Sequence, residues 1–370
     1  MAHFLNARIA RKYKGKVALV RIDLNIDAAS QEGLYRLRSA VPTIKLLRKN
    51  GVRVVLISHR GRPNGVERAL TLQPFVKILE KELGEKIRFL KTFDFESLRE
   101  SIVESDDALV MLENIRFLAG EEADDERLAR SLASLGDMYV NEAFAVSHRA
   151  HASVHALARL LPAFGGLQLE HEIKALGAVL KKPARPLVFV FGGAKTADKL
   201  PLMERFFKKA DIFLTGGGPG NTLLAAQGIP MHDSLYDKTL APGMRRVAFS
   251  SHVMSPADAV CDGAKVLDIG KETAAEYAEI IANAKTIVWN GPLGLYEKKQ
   301  FAGGTAAVWN AVLKNKKAVT VVGGGETIAA LSTVKKEPAD VPKNVFLSTG
   351  GGAMLQFLSG EEMPGIIALR

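Results

Sequence analysis

Short apolar runs alternate with amphipathic stretches along the chain. "KVALVRIDLN" reads as a strand, and "LYRLRSAVPTIKLLRKNG" as a helix closed by Gly51. "VRVVLISH" is the next strand, and a helix is expected around Leu72 to Leu83. "KIRFL", "ALVMLEN" and "MYVNEA" continue the strands, each separated by a helical stretch. Five β-then-α units imply a parallel sheet covered on both faces. The second half repeats the scheme in "RPLVFVFGG", "DIFLTGGG", "KTIVWNGPLG", "AVTVVGGG" and "NVFLSTGGG", each ending in glycine. Between the halves, "LQLEHEIKALGAVLKK" has a helical apolar period and is stopped by Pro183 and Pro186. The fold class is therefore α/β: two doubly wound, Rossmann-like parallel-sheet domains joined by a helix and hinge. The expected boundaries are 1–166, a linking helix at 167–182, and 183–353. Glycine clusters at 192, 216, 323 and 350 are unevenly spaced, which excludes a solenoid.

A chain of 370 residues is long for one core and suits two. Lys plus Arg is 50 against 40 for Asp plus Glu, a net +10. That balance suits an anionic partner: nucleic acid, an acidic membrane surface or phosphorylated metabolites. Nucleic acid is the rival reading, but aromatic residues make up only 7% and no stripe interleaves them with Lys or Arg. No apolar run approaches a membrane span. The single cysteine, Cys261, excludes an internal disulfide framework and fits a reducing cytoplasm. The start, "MAHFLNARIARKYKGK", is basic but lacks an apolar core segment, so it reads as mature protein.

Ligands of open parallel sheets bind beyond the carboxyl ends of the strands. In the first half those ends carry Arg21, Asp23 and Asn25, then His59, Arg60 and Arg62, then Arg116, then Arg149 inside "HRAH". Arg36 opens the first helix. One such arginine is usually a surface charge. Their recurrence at the same end of successive strands makes a basket for a small molecule with two or more negative groups. The planar guanidinium fork matches carboxylate and phosphate. In the second half "GGAKTADK" sets Lys195 and Lys199 one turn apart at a helix start. "TGGGPGNT", "WNGPLGLYE", "GGGET" and "STGGGA" add glycine clusters that could hold phosphate on unpaired amides. There is no Walker A sequence and no complete G-x-G-x-x-G. An anion basket on one domain and a nucleotide face on the other imply hinge closure and phosphoryl transfer. No base that would activate a hydroxyl is evident, which suits a carboxylate acceptor, already ionised at pH 7.

Taken together, "RIDLN", "RLRSAVPTIKLL", "SHRGRP", "LENIRF", "NEAFAVSHRAHAS", "GGAKTADK", "TIVWNGPLGLYE", "VVGGGET" and "STGGGA" closely resemble the phosphoglycerate kinase family, in family order from Arg21 onward. The resemblance implies reversible phosphoryl transfer between 1,3-bisphosphoglycerate and ADP, giving 3-phosphoglycerate and ATP, with Mg²⁺, by a cytoplasmic monomer with no membrane or nucleic-acid partner. It implies that Asp23, Asn25, His59, Arg62, Arg116 and Arg149 hold the phosphoglycerate, with Arg36 at the reacting carboxyl. Lys195 would stabilise the phosphoryl group in flight, and Lys199 would bind nucleotide phosphate. Gly216, Gly217 and Gly218 would line the adenine pocket, with Asn290 and Pro292 nearby and Glu297 on the ribose. Gly324, Gly325, Glu326 and Thr327 would meet the nucleotide, Glu326 beside the metal. Gly351, within 350–352, would aim a helix start at the transferred group. "EEMPGIIALR" looks like the family's C-terminal segment, and 354–370 is expected to return to the first domain. Glu326 stands where the family usually has Asp, "DLNID" replaces "DFNVP", and Arg60 replaces a common Leu. The loop before Arg36 is short, and the region after "SPADAVCDG" is shortened. None of these removes an anion ligand. A degenerate member without turnover is the other alternative, and intact Arg36, Lys195 and Arg149 argue against it.

Overall fold

The computed structural model describes residues 2–27, 30–105, 107–240, 243–333 and 341–369. The chain divides into two compact units, Met1–Lys174 with Glu361–Arg370, and Ala175–Gly360.

The first unit is built on a six-stranded parallel sheet. Its strands are β1 (Val17–Arg21), β2 (Arg53–Ile57), β3 (Arg88–Leu90), β4 (Leu109–Leu112), β5 (Met138–Asn141) and β6 (Ala163–Gly165), in the order β3-β4-β2-β1-β5-β6. β1, β4 and β5 are buried at every position, as strands covered on both faces must be. β6 was not anticipated. It is three residues long, follows Pro162 and pairs with β5, with a single further parallel bridge from Gly165 to Phe4. The helix Gln31–Lys49 starts at Ser30, whose Oγ accepts from the Gly33 amide. Beyond its end, Gly51 takes φ +75°, where glycine carries no Cβ penalty. The helix thus carries Arg36 in its first turns. Of the expected return at 354–370, only Glu361–Arg370 belongs to this unit, and 354–360 stays with the second; Gly365 N donates to Ser147 O, and Asn141 Nδ2 donates to Gly365 O.

The helix Leu167–Lys181 runs through the division at Lys174. Its first amide, on Leu167, donates to Thr43 Oγ1, and the next two, on Gln168 and Leu169, donate to the buried Glu142 carboxylate. Burial pushes the Glu142 carboxyl up to about 7 despite those donors.

The second unit carries β7 (Leu187–Phe191), β8 (Ile212–Thr215), β9 (Val253–Met254), β12 (Thr286–Asn290), β13 (Val319–Gly323) and β14 (Val345–Ser348), in the order β14-β13-β12-β7-β8-β9. A separate antiparallel hairpin, β10 (Ala259–Asp262) and β11 (Lys265–Ile269), was not anticipated. Nor was the two-residue β9. Phe189, Phe191, Phe206 and Phe213 are fully buried and interlock, with centroids 4.8 Å apart for Phe189–Phe206 and 5.3 Å for Phe189–Phe213. Each such ring stabilises by roughly 1.5–3 kcal/mol through burial. The expected helix start at Lys195 is displaced. A single 3-10 turn spans Ala197–Lys199 and the helix proper is Leu200–Phe206, so Lys195 lies in the loop ahead of both.

Candidate functional site

In the first unit the polar ends of β1, β2 and β5 form one wired cluster. Arg21 is fully buried and spent on the scaffold. Its Nε donates to Ser153 Oγ at 2.9 Å, its Nη1 to Ile22 O, and its Nη2 lies 2.9 Å from His59 Nδ1. A guanidinium only donates, so His59 Nδ1 accepts and the ring proton sits on Nε2. Burial, then the charge of Arg21, holds His59 neutral well below its ordinary value. Burial alone would raise Asp23. Arg36 above all, with the Asn25 amide and Arg21, outweighs it and holds the carboxyl at about 2. Asp23 in turn pins the Nη2 of Arg36, while Arg36 Nη1 reaches Glu32 at 3.3 Å.

What remains, among the described residues, is a set of buried nitrogens without a well-formed hydrogen bond: Arg36 Nε, Arg116 Nε and Nη2, His148 Nδ1 and His151 Nδ1. Arg116 Nη2 is 3.1 Å from Glu122 Oε1 but lacks hydrogen-bond geometry. His151 Nδ1 is 3.9 Å from Glu121, too far to be satisfied. Each unmatched group costs about 1–3 kcal/mol. Burial, then Arg116, Arg21 and Arg149, pull His151 down to about 3. Burial, then Arg149, pull His148 down to about 4. The cluster therefore already carries positive charge and refuses more, the condition in which an anion binds.

Each expected first-unit residue can now be placed. Asp23, Arg36, His59, Arg116 and Arg149 belong to this electrostatic cluster. Asn25 is exposed, and its Oδ1 accepts from the Gly61 amide at 2.9 Å, so it shapes the loop carrying Arg62. Arg116 Nη1 holds the same loop through Gly61 O at 2.7 Å. Arg62 is exposed on it. Arg60 turns the other way, donating to Ala69 O and Thr71 O and lying 5.4 Å over Phe75. His151 was missed as a site residue although "HRAH" contains it. Charge count marks the tetrapeptide, but only the turn decides which of its three cationic side chains is buried.

The second unit holds a pocket of about 180 Å³. Gly217, Gly218 and Asn221 form one wall, the turn Pro292–Glu297 another, and Val266–Ile269 of β11 a third, with Glu326 at the rim. Of the expected nucleotide residues, Gly217, Gly218, Pro292, Glu297 and Glu326 line it. Gly216 sits behind it, against Leu293 and Ile269. Asn290 and Thr327 are tie-bars: Asn290 Nδ2 donates to Gly323 O at 3.0 Å, and Thr327 Oγ1 accepts from Gly291 N at 2.7 Å.

The glycines divide into two kinds. The amides of Gly217 and Gly218 are used, donating to Leu293 O and Gly193 O. That triplet is no anion nest, contrary to the expectation of unpaired amides there. Its glycines, with Gly192 and Gly291, let three loops touch: a Cβ on Gly218 would lie 2.7 Å from Ala194 O, one on Gly192 2.1 Å from Pro292 O, and one on Gly291 2.2 Å from Gly192. By contrast, a Cβ on Gly351 or Gly352 would meet nothing within 4 Å. Gly351 has φ +51° and caps the helix Gly352–Ser359. Gly324 has φ +98° ahead of the helix Gly325–Thr333. Helix starts leave their first amides without intrahelical partners, so these two starts offer backbone donors at 324–327 and 351–352, the Gly350 amide being taken by Ser348 Oγ at 3.1 Å. Lys199 is buried, and burial pulls its pKa down while Asp198 and Glu326 oppose this. Lys195 is exposed.

Among the described residues no group of three His, Cys, Asp or Glu side chains could hold a metal. Glu326 is a single exposed carboxylate at a helix start. Mg²⁺ is commonly held by one or two carboxylates plus substrate phosphates, so the donor set fits a cation that arrives with a nucleotide.

Two doubly wound parallel sheets, with a guanidinium cluster on one and glycine-rich turns on the other, define an α/β enzyme of the phosphotransferase class. A family model described as phosphoglycerate kinase matches residues 9–361. The phosphoglycerate kinase of Moorella thermoacetica is 39% identical over 384 residues, 96% of each chain, and that of a Roseiflexus species is 40% identical over 388 residues. The solved phosphoglycerate kinases of Pyrococcus horikoshii and Coxiella burnetii superpose with TM-scores of 0.84 and 0.80 at 29% and 32% identity, each covering 96% of both chains. This chain belongs to the phosphoglycerate kinase family.

Proposed function

We propose that the first-unit cluster holds 3-phosphoglycerate or its acyl phosphate, and that the second-unit pocket holds ATP or ADP, in the family's reversible phosphoryl transfer. The buried unmatched donors of Arg36, Arg116 and His151 carry this reading, because a multiply charged anion satisfies them at once. Arg116, Arg149 and His151 bind the phosphate, with Arg62 closing over it. Arg36, held straight by Asp23, faces the carboxyl end. The Asp23 carboxylate accepts from the substrate hydroxyl.

In the direction of ADP formation, a carboxylate oxygen attacks the γ-phosphorus and the bond to the β-phosphate oxygen breaks. The attacking oxygen is already ionised, so no base is needed. Catalysis is then positioning and charge stabilisation. Lys195 supplies the mobile positive charge, and Lys199 and the Gly351 turn hold the phosphates. Glu326 would hold Mg²⁺, which supplies neutralisation of phosphate charge when bound. Closing of the hinge, action as a monomer and a cytoplasmic setting complete the reading. The lone Cys261 supports a reducing compartment, and among the described residues no helix is long and apolar enough to cross a membrane. A coupled assay of 3-phosphoglycerate-dependent ADP formation with Mg²⁺ tests it. Absence of turnover with both substrates saturating would refute it.

A further inference from the structure

A groove of about 560 Å³ on the first unit shares no lining residue with the guanidinium cluster. Its volume falls among those of small-molecule sites, about 300–1,000 Å³. The floor is apolar, made by Leu161, Phe164, Ile367 and Ala368. Backbone pairing holds that floor in place: β6 carries Phe164, Gly165 N donates to His3 O at 2.8 Å, and His3 N donates to Leu369 O at 2.9 Å. His155 and Arg159 stand on the wall, from the consecutive helical turns Ala152–Ala156 and Leu157–Arg159. His155 Nδ1 lies 2.6 Å from Asp124 Oδ2. A carboxylate only accepts, so Nδ1 carries a proton and the ring's other nitrogen, Nε2, has no hydrogen-bond partner among the described residues. The second Asp124 oxygen accepts from Ala156 N at 3.1 Å, which fixes the carboxylate behind the ring.

Arg159 is exposed and makes no hydrogen bond or ion pair among the described residues. Asp124 offsets any charge that His155 takes, so with the exposed His3 neutral, Arg159 is the one full positive charge on the groove. One charge suits a carboxylate better than a phosphate dianion, and the guanidinium fork matches it. Nε2 accepts when the ring is neutral and donates when it is protonated. A hydroxyl serves both states, because it donates and accepts. We propose that this groove is a second ligand site, for a small hydroxy acid with an apolar body. The carboxylate pairs with Arg159, the hydroxyl meets His155 Nε2, and the body lies on Phe164 and Leu161.

The test titrates 4-hydroxybenzoate onto the full chain, followed by calorimetry and ligand-observed NMR, with benzoate, phenol and phenyl phosphate as comparators. Benzoate and phenol, each lacking one polar group, should bind about 10-fold more weakly than 4-hydroxybenzoate. Arg159→Ala changes an exposed side chain, so the fold should hold; it should weaken 4-hydroxybenzoate at least about 10-fold and leave turnover unchanged. His155→Phe keeps a ring and removes its nitrogens, and should bring the preference for 4-hydroxybenzoate over benzoate below about threefold. Absence of saturable binding overturns the proposal, and so does undiminished binding in Arg159→Ala. Tighter binding of phenyl phosphate would overturn the choice of a carboxylate. Displacement of the probe by 3-phosphoglycerate, or its loss in Arg149→Ala, would put it in the guanidinium cluster and end the case for a second site.

Discussion

In the proposed reading the two units would recognise negative charge by opposite means. The first uses side chains: arginines and histidines locked by Asp23, Ser153 and Glu121 around buried donors. The second uses backbone: glycines that either let loops touch or leave helix starts bare. A side-chain site fails when a group is removed, and the fold survives. A backbone site fails when a group is added, and whether the fold survives depends on what the new Cβ meets.

The largest expected effect separates the two kinds of glycine. Gly192→Ala drives a methyl to within 2.1 Å of a carbonyl oxygen, so something must move. It should destabilise by about 3 kcal/mol, the upper end for overpacking, and appear in denaturant unfolding. Gly352→Ala meets open space and should leave that midpoint unchanged while slowing phosphoryl transfer. If Gly352→Ala is silent in the assay as well, the open glycines do not face the ligand.

Next comes Lys195, a side chain at work in a unit built mainly on backbone. Lys195→Ala should lower kcat by about 10²–10³-fold with nucleotide affinity nearly unchanged, because its charge is needed only in the transition state. Equal losses in kcat and affinity would make it an ordinary binding group. In the first unit, Arg149→Ala should raise the KM for 3-phosphoglycerate about 10- to 100-fold, the loss of a charged hydrogen bond, and spare ATP. A matching fall in ATP affinity would end the division of labour between the units.

Much of this was legible from the chain because strands buried on both faces are continuous apolar runs, and the polar residues ending them have to stand at one edge. Arg36, Arg116 and Arg149 are readable that way. What pattern could not show was satisfaction. Arg21 and Arg116 look alike in sequence, yet each of the three Arg21 nitrogens has a partner, in Ser153, Ile22 and His59, while Arg116 keeps two nitrogens unmatched. Likewise 216–218 and 350–352 are both glycine triplets, but only partners distant in sequence reveal that Gly217 and Gly218 have used their amides. Short pieces such as β6 and β9 have no period to detect. His151 was hidden because composition does not say which member of HRAH turns inward; the backbone buries His151 and leaves His148 and Arg149 partly exposed.

The smallest effect at neutral pH is the most diagnostic in acid. His148 and His151 are held at about 4 and about 3 in the folded chain, chiefly by burial, against roughly 6.5 when unfolded. Below pH 6.5 the unfolded chain binds protons that the folded chain refuses, so stability present above 6.5 falls as pH drops toward 4. Each group contributes a slope of about 1.4 kcal/mol per pH unit over that window. His151→Asn should match the parent protein at pH 8 and lose less stability at pH 5, seen by denaturant titration at both. Saturating 3-phosphoglycerate should oppose the acid loss in the parent, since a bound dianion gives the imidazoliums a partner and its binding then takes up protons. If the parent's acid slope is unchanged by the ligand, the histidines do not face the anion, and the side-chain half of the comparison fails.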